Sequence, residues 1–406
     1  MNDLKLSVLF GIASRFLTFL NQIFSVPITI TLIGLNEFTR FNVMTATIAW
    51  LITLGGCLLP SVVGDIARAK SDHDYDSVTR KTSSALAVMF IFCLIISVAY
   101  ILVFNDLGIE YNVLLVLTLL ILFSSTAENI RQGLGENYKN AIYNGLSNFL
   151  SLLAILSLYF FKIETDLLII LVVSLGSTVL LKMANLAPLL VFFELNKVNK
   201  NDCYEMIRKA IGFLFISVAY YLNNAGLVTL FGYFSYPQLS EYVILQKIIL
   251  ILMGLVVMIR NPLWSIIASL NYKGNGNVIY HKYIKILRLY FLAVPIIIIF
   301  LCFGLPSFLK IWAGGIMIAK KDIILFSLYV AVLIFSYINS VMYYGLELFG
   351  AVSKLIMLEA IVNFSFAVVA VILNLHMIYI FLMLIITSLI INGLVFRLIK
   401  RTCLNV

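Results

Sequence analysis

The chain has 406 residues, of which 62% are hydrophobic and only 12% charged, with 28 Lys and Arg against 19 Asp and Glu. A soluble domain carries about 25% charged residues, so this composition excludes a protein whose surface faces mainly water. Lipid leaves only helices or a closed barrel as spanning structures. A barrel needs alternating segments of about ten residues, and the long continuous apolar runs exclude it too.

A span needs about 20 apolar residues. Runs of that order predict helices near 7–33, 40–62, 83–104, 112–130, 141–161, 167–192, 210–231, 241–261, 289–309, 323–345, 355–375 and 377–396. The first run is too long for a signal-peptide core and lacks a small-residue cleavage site, so it reads as a retained helix. Turn residues mark the breaks: Asn105-Asp106 with Gly108, Gly133 and Gly135, Tyr236-Pro237, Gly274-Asn275-Gly276-Asn277, and Gly314-Gly315. The expected fold class is an all-α integral membrane protein of about twelve transmembrane helices. The polar stretch 194–209 divides the helices six and six. This predicts lobes over 1–195 and 210–406 joined by a cytoplasmic linker at 196–209, two six-helix lobes of one orientation around a central cavity, as in parallel repeats.

Positive charge resists translocation. With the N-terminus inside, 20 of the 28 Lys and Arg fall on the inner side, 5 on the outer side, and Arg15, Lys182 and Lys247 within spans. Both termini are therefore expected in the cytoplasm, and the net charge of +9 reads as a topology signal rather than as nucleic-acid binding. Lys282, Lys285 and Arg288 recur every three residues. Two readings fit them: an amphipathic segment on the anionic inner leaflet, or the start of the ninth span. Cys57, Cys93, Cys203, Cys302 and Cys403 are scattered, and His73, His281 and His376 lie far apart. Neither set has metal-ligand or disulfide spacing, and no cofactor is expected.

Polar residues inside the spans are the informative ones. Arg15, Thr18, Gln22, Ser25 and Thr29 step by three and four along one face of the first helix, with Pro27 inside the stripe as a candidate hinge. Similar groups are Asn144, Ser147, Asn148 and Ser151; Tyr220, Tyr221, Asn223 and Asn224; and Ser336, Asn339, Ser340, Tyr343 and Tyr344. Such faces either line a polar cavity or glue helices together. Arg15 lies about 12 Å deep by helical rise. It either faces a cavity, the default for an intramembrane charge, or snorkels to the surface, and Lys182 and Lys247 face the same choice. Asp65, Glu128, Glu347 and Glu359 fall near inner ends of the predicted spans. The interior is thus expected to be cationic and to favour an anionic headgroup, since guanidinium pairs well with phosphate.

Ser14-Arg15, Pro27, Leu32-Ile33-Gly34, Glu37-Phe38, Phe41, Trp50-Leu51, Gly55 and Asp65-Ile66-Ala67-Arg68-Ala69 occur in that order. With the span count and the six-plus-six division, the chain resembles the Wzx-type O-antigen flippases of the multidrug/oligosaccharidyl-lipid/polysaccharide (MOP) superfamily. The resemblance implies translocation of an undecaprenyl-pyrophosphate-linked oligosaccharide across a bacterial inner membrane. It also implies a cavity lined by spans 1, 2, 7 and 8, with Arg15 in it. The expected substrate-binding set is Arg15, Lys247, Lys182, Gln22, Asn223, Asn224 and Asn339. Expected partners are the lipid-linked oligosaccharide, the anionic bilayer and other polysaccharide-assembly membrane proteins. Relatives place an acid in the seventh span where this chain has Asn223-Asn224, so no coupling role carries over to that position. The rivals are a multidrug antiporter of the same superfamily, which would favour a membrane-embedded acid, and a membrane polymerase or ligase. The enzyme reading lacks an outer loop large enough for chemistry in water: the longest, 310–322, has no His and no acid pair.

Overall fold

The computed structural model describes residues 2–104 and 108–404. Asn105 and Asp106, expected to form a break, lie outside the described residues. Every element among the described residues is a helix, and none is a strand. The chain divides into two compact units, Met1–Val218 and Ala219–Val406.

Unit 1 holds α1 (Asn2–Gly56), α2 (Pro60–Ser71), α3 (Tyr75–Phe104), α4 (Ile109–Ser124), α5 (Thr126–Gly133), α6 (Asn137–Phe160), α7 (Leu167–Leu186) and most of α8 (Lys200–Tyr221). The stretch expected to be a linker is a 3-10 turn at Leu195–Lys197 followed by the first turns of α8. Unit 2 holds the end of α8, a π-helical turn at Leu222–Gly226, α9 (Leu227–Tyr233), α10 (Leu239–Tyr272), α11 (Gly276–Trp312), α12 (Lys320–Gly345), α13 (Phe349–Ile372) and α14 (Met377–Leu404).

Among the described residues, eleven helical stretches are long and apolar enough to cross a membrane, and the first of them, Leu9–Ser71, runs for 63 residues. Straight, it would reach about 95 Å, roughly three hydrocarbon thicknesses. Gly34 breaks it, with φ 79° and ψ 164° where a helix cannot continue. The halves of α1 on either side account for two spans, giving the expected twelve. The protein is therefore a multi-pass membrane protein.

Short turns join the helices, and among the described residues eight helix ends close in the same way. A residue in the left-handed region is followed by an N–H that donates to the carbonyl five residues back. Examples are Gly135 with Glu136 N to Arg131 O at 2.7 Å, and Asn374 with Leu375 N to Ala370 O at 2.8 Å. Side-chain caps add to this at helix starts: the Asp74 carboxylate accepts from Ser77 N at 2.9 Å and that of Asp166 from Ile169 N at 2.8 Å.

Between helices of unit 1 the packing is local and close. Gly133 of α5 lies against Ile66 of α2, where a Cβ would come within 2.8 Å of the isoleucine side chain. Ile66, fully buried, and Ala69 turn the Asp65–Ala69 motif into the core of unit 1, where it acts as a packing element. Gly145 of α6 lets Ser14 of α1 approach to 3.2 Å of where a Cβ would stand. One turn on, Asn148 donates to Thr18 Oγ1 at 3.1 Å and accepts from Asn21 at 3.2 Å. Small residues with interhelical hydrogen bonds are the usual glue between membrane helices. Asn148→Leu is expected to lower stability by about 1 kcal/mol, read as an earlier midpoint when the detergent-solubilised protein is unfolded with increasing sodium dodecyl sulfate. An unchanged midpoint would mean that shape alone holds α1 to α6.

Candidate functional site

Three of the sequence-predicted residues are cations at membrane depth, and the fold treats them differently. Lys182 on α7 is bound to Glu128 on α5, Nζ to Oε1 at 2.6 Å, so its charge is neutralised inside unit 1. Arg15 on α1 has an exposed side chain, and among the described residues it makes no ion pair or hydrogen bond. Lys247 on α10 is partly buried and likewise has no ion pair or hydrogen bond among the described residues.

The stripe containing Arg15 is divided. Thr18 is turned to Asn148 of α6, Thr29 is buried, and Gln22 and Ser25 are partly buried. Ser14, one residue before Arg15, is the side chain facing α6. Pro27 lies within continuous helix, and the backbone break of α1 is at Gly34, seven residues on.

Of the remaining predicted residues, Asn223 and Asn339 belong to a polar seam inside unit 2. The π-helical turn inserts an extra residue before α9 and re-aims the side chains that follow. Asn223 Oδ1 accepts from Asn363 of α13 at 3.0 Å, and Thr387 of α14 donates to Asn363 Oδ1 at 2.5 Å. Asn224 instead donates to Tyr220 O in its own helix at 2.9 Å. On α12, Asn339 accepts from the Tyr283 hydroxyl and donates to Asn392 Oδ1 at 2.8 Å. Asn392 donates to Ser336 Oγ at 2.6 Å and to the Ser388 carbonyl at 2.7 Å. Ser388 Oγ donates to Glu359 of α13.

Glu359 corrects the expectation that the acids stand only near the ends of the spans. The sequence places the start of its span at residue 355, which leaves the acid near the rim. In the structure α13 begins at Phe349, so Glu359 stands ten residues into a 24-residue helix, near its middle. It is partly buried, receives one hydroxyl bond, and has no cationic partner among the described residues. The available signal was an acid four residues before Asn363 in an apolar run, which puts both on one helix face. The same face meets Thr387 and Ser388 of α14.

A different arrangement occupies unit 1 outside the spans. Lys81 bonds Asp202 at 2.7 Å, and Lys209 bridges Asp65 at 3.2 Å and Glu205 at 2.9 Å. The Lys209 ammonium is held above its ordinary value, first by the hydrogen bond to Glu205 and then by Asp65 against the opposing effect of burial. Acids and bases are matched here, which describes a brace across α2, α3 and α8. No cluster of His, Cys, Asp and Glu suited to a metal ion occurs among the described residues.

No family model matches the sequence, and no curated protein is similar to it at a significant level. Solved structures do resemble it. One is an inward-facing multidrug-resistance MATE-family transporter of the MOP superfamily, 15% identical with a TM-score of 0.71, covering 96% of this chain and 95% of that one. Another is an outward-facing MATE-family transporter, 14% identical with a TM-score of 0.65, covering 99% and 94%. A third is a MOP-superfamily transporter from Pyrococcus furiosus, 15% identical with a TM-score of 0.62 over 98% and 95%, for which a binding pocket of reverse polarity suggests a different function. The chain has the fold of the MATE transporters of the MOP superfamily. The similar structures are transporters, not enzymes.

Proposed function

We propose that this protein translocates a lipid-linked oligosaccharide with an anionic headgroup, of the undecaprenyl-pyrophosphate O-unit class, across a bacterial inner membrane by alternating access. Both termini would lie in the cytoplasm, as the charge bias requires. The observation that carries the reading is the pair of unneutralised cations at membrane depth, Arg15 in unit 1 and Lys247 in unit 2, while Lys182 is paired. Unpaired charge in a span is costly and marks function by default. Guanidinium and ammonium groups are the side chains that recognise phosphate. The reversed pocket polarity of the Pyrococcus furiosus transporter supports a change of cargo charge on this fold. The inward- and outward-facing structures of similar transporters support alternating access.

The test is complementation of a bacterium lacking its own O-unit flippase, with the matching sugar genes present. Surface polymer is expected to return with the wild-type chain. It is expected to fall several-fold with Arg15→Ala or Lys247→Ala and to recover in part with Arg15→Lys. Full polymer with both alanine variants would remove the two cations from the mechanism.

A second reading, a multidrug antiporter, is favoured by one observation: the membrane-embedded carboxyl of Glu359, the kind of group a cation-exchanging carrier uses. Raised drug tolerance in a sensitised strain expressing the chain, without restored polymer, would select it.

A further inference from the structure

In unit 1 most cations outside the spans are matched with acids: Arg80 and Lys81 with Asp202, Lys209 with Asp65, and Lys139 with Glu136. One end of unit 2 is built differently. Lys282, Lys285 and Arg288 on α11 and Arg397, Lys400 and Arg401 on α14 are all exposed, and among the described residues none has an ion pair. The two helix ends lie side by side. Gly276, the first residue of α11, sits against the backbone of Cys403 near the end of α14. Ile279, Tyr283 and Leu287 share one buried core with Val395, Ile399 and Cys403. The apolar faces thus meet and the cations, at helical spacing of three and four, are left on the outer faces.

The segment is not a separate amphipathic helix; it is the first third of α11, continuous to Trp312. A helix of 37 residues reaches about 55 Å, well beyond the roughly 30 Å of hydrocarbon. The apolar run begins at Leu289, directly after Arg288. The cations therefore stand just outside the hydrocarbon, level with lipid headgroups. Clustered Lys and Arg at that level attract the acidic lipids of the leaflet they face.

We propose that this α11–α14 end is a docking surface for anionic phospholipid headgroups, which neutralise on unit 2 the charge that unit 1 neutralises with its own acids. The inference rests on the expected orientation and not on the choice of cargo. The test uses the full chain in neutral detergent, with thermal unfolding followed after addition of phosphatidylglycerol, phosphatidylcholine or inorganic phosphate. Phosphatidylglycerol is expected to raise the midpoint by several degrees, phosphatidylcholine and phosphate much less, and added salt to reduce the gain. The six-site Gln variant is expected to lose most of the gain, a variant with arginine at all six sites to keep it, and Lys200→Gln with Arg208→Gln in unit 1 to keep it. Because all six side chains are exposed, the lipid-free midpoint of each variant is expected to match wild type. An equal gain from phosphatidylcholine or phosphate, or an undiminished gain in the six-site Gln variant, would overturn the proposal.

Discussion

Arg131→Met is expected to destabilise the protein by about 3 kcal/mol, a larger loss than Asn148→Leu should cause. Arg131 is a buried charge, 3% exposed. Its Nε donates to Asn185 Oδ1 at 2.5 Å, one terminal nitrogen donates to the Asn185 carbonyl at 3.0 Å, and the other meets Glu136 at 2.7 Å. Asn185 in turn donates to Asn140 at 3.1 Å, and Asn140 to the Glu128 carbonyl at 2.7 Å. One guanidinium therefore ties α5, α6 and α7 together. Methionine matches the stem but strands the polar groups, and leaving a buried group unpaired costs more than the bond was worth. Burial by itself would raise the Glu136 carboxyl, but Lys139 and Arg131 hold it below the ordinary carboxylate value. A depressed acid contributes stability above its unfolded pKa and loses it as pH falls through the folded one. The gap between wild type and Arg131→Met is thus expected to be full at neutral pH and to narrow under strong acid. Thermal unfolding in detergent at both pH values checks this, and a gap of less than about 1 kcal/mol at neutral pH would mean that the ion pair behaves as a surface one.

Glu359→Gln is expected to lower transport about tenfold or more, equivalent to at least about 1.4 kcal/mol in the rate-limiting barrier, with little change in stability. Glutamine keeps the shape and still accepts the Ser388 hydroxyl bond, but it cannot take up or release a proton or balance a cation. The donors lead toward the acid: Tyr283 to Asn339, Asn339 to Asn392, Asn392 to the Ser388 carbonyl, and Ser388 Oγ to Glu359. A charge change at Glu359 therefore alters what α14 and α12 bond to. The measurement is the dependence of transport on external pH, using whichever cargo the complementation and drug assays identify. Wild-type pH dependence is expected to flatten in the Gln variant and to persist in Glu359→Asp. If Glu359→Gln transports like wild type at every pH, the acid only braces the helices.

The twelve spans were legible in the sequence because length and hydropathy in lipid leave the chain few alternatives. The character of the interior was not. Glu359 falls at a rim when its span is started at residue 355, whereas α13 starts at Phe349 and moves the acid about a turn and a half inward. The neutralisation of Lys182 by Glu128 joins residues 54 positions apart, which no helical periodicity reveals. In the first span, steps of three and four define a face about a third of the helix wide, so the period could not separate the residues that grip α6 from the exposed Arg15. The π-helical turn at Asn223 also escaped, since one inserted residue leaves no compositional trace. The inventory of Asn, Ser, Thr and Tyr within the spans was readable in advance. Which of them meet is decided by long-range packing.

The repeated helix ends have a consequence for how the chain is made. Five of the eight left-handed closures use residues other than glycine, at His73, Lys162, Ser235, Glu347 and Asn374. Each turn is closed by backbone bonds of its own. Consecutive helices can therefore leave the insertion machinery as closed hairpins while the ribosome is still at work. The contact of α1 with α6 is of another kind, because residues 127 to 130 positions apart must meet. The first helix has to wait in the bilayer, with its polar face untended, until the fifth span of unit 1 has been synthesised. A nascent chain halted before Asn148 is the form in which a chaperone or a quality-control protease would find Thr18 and Asn21 unclaimed.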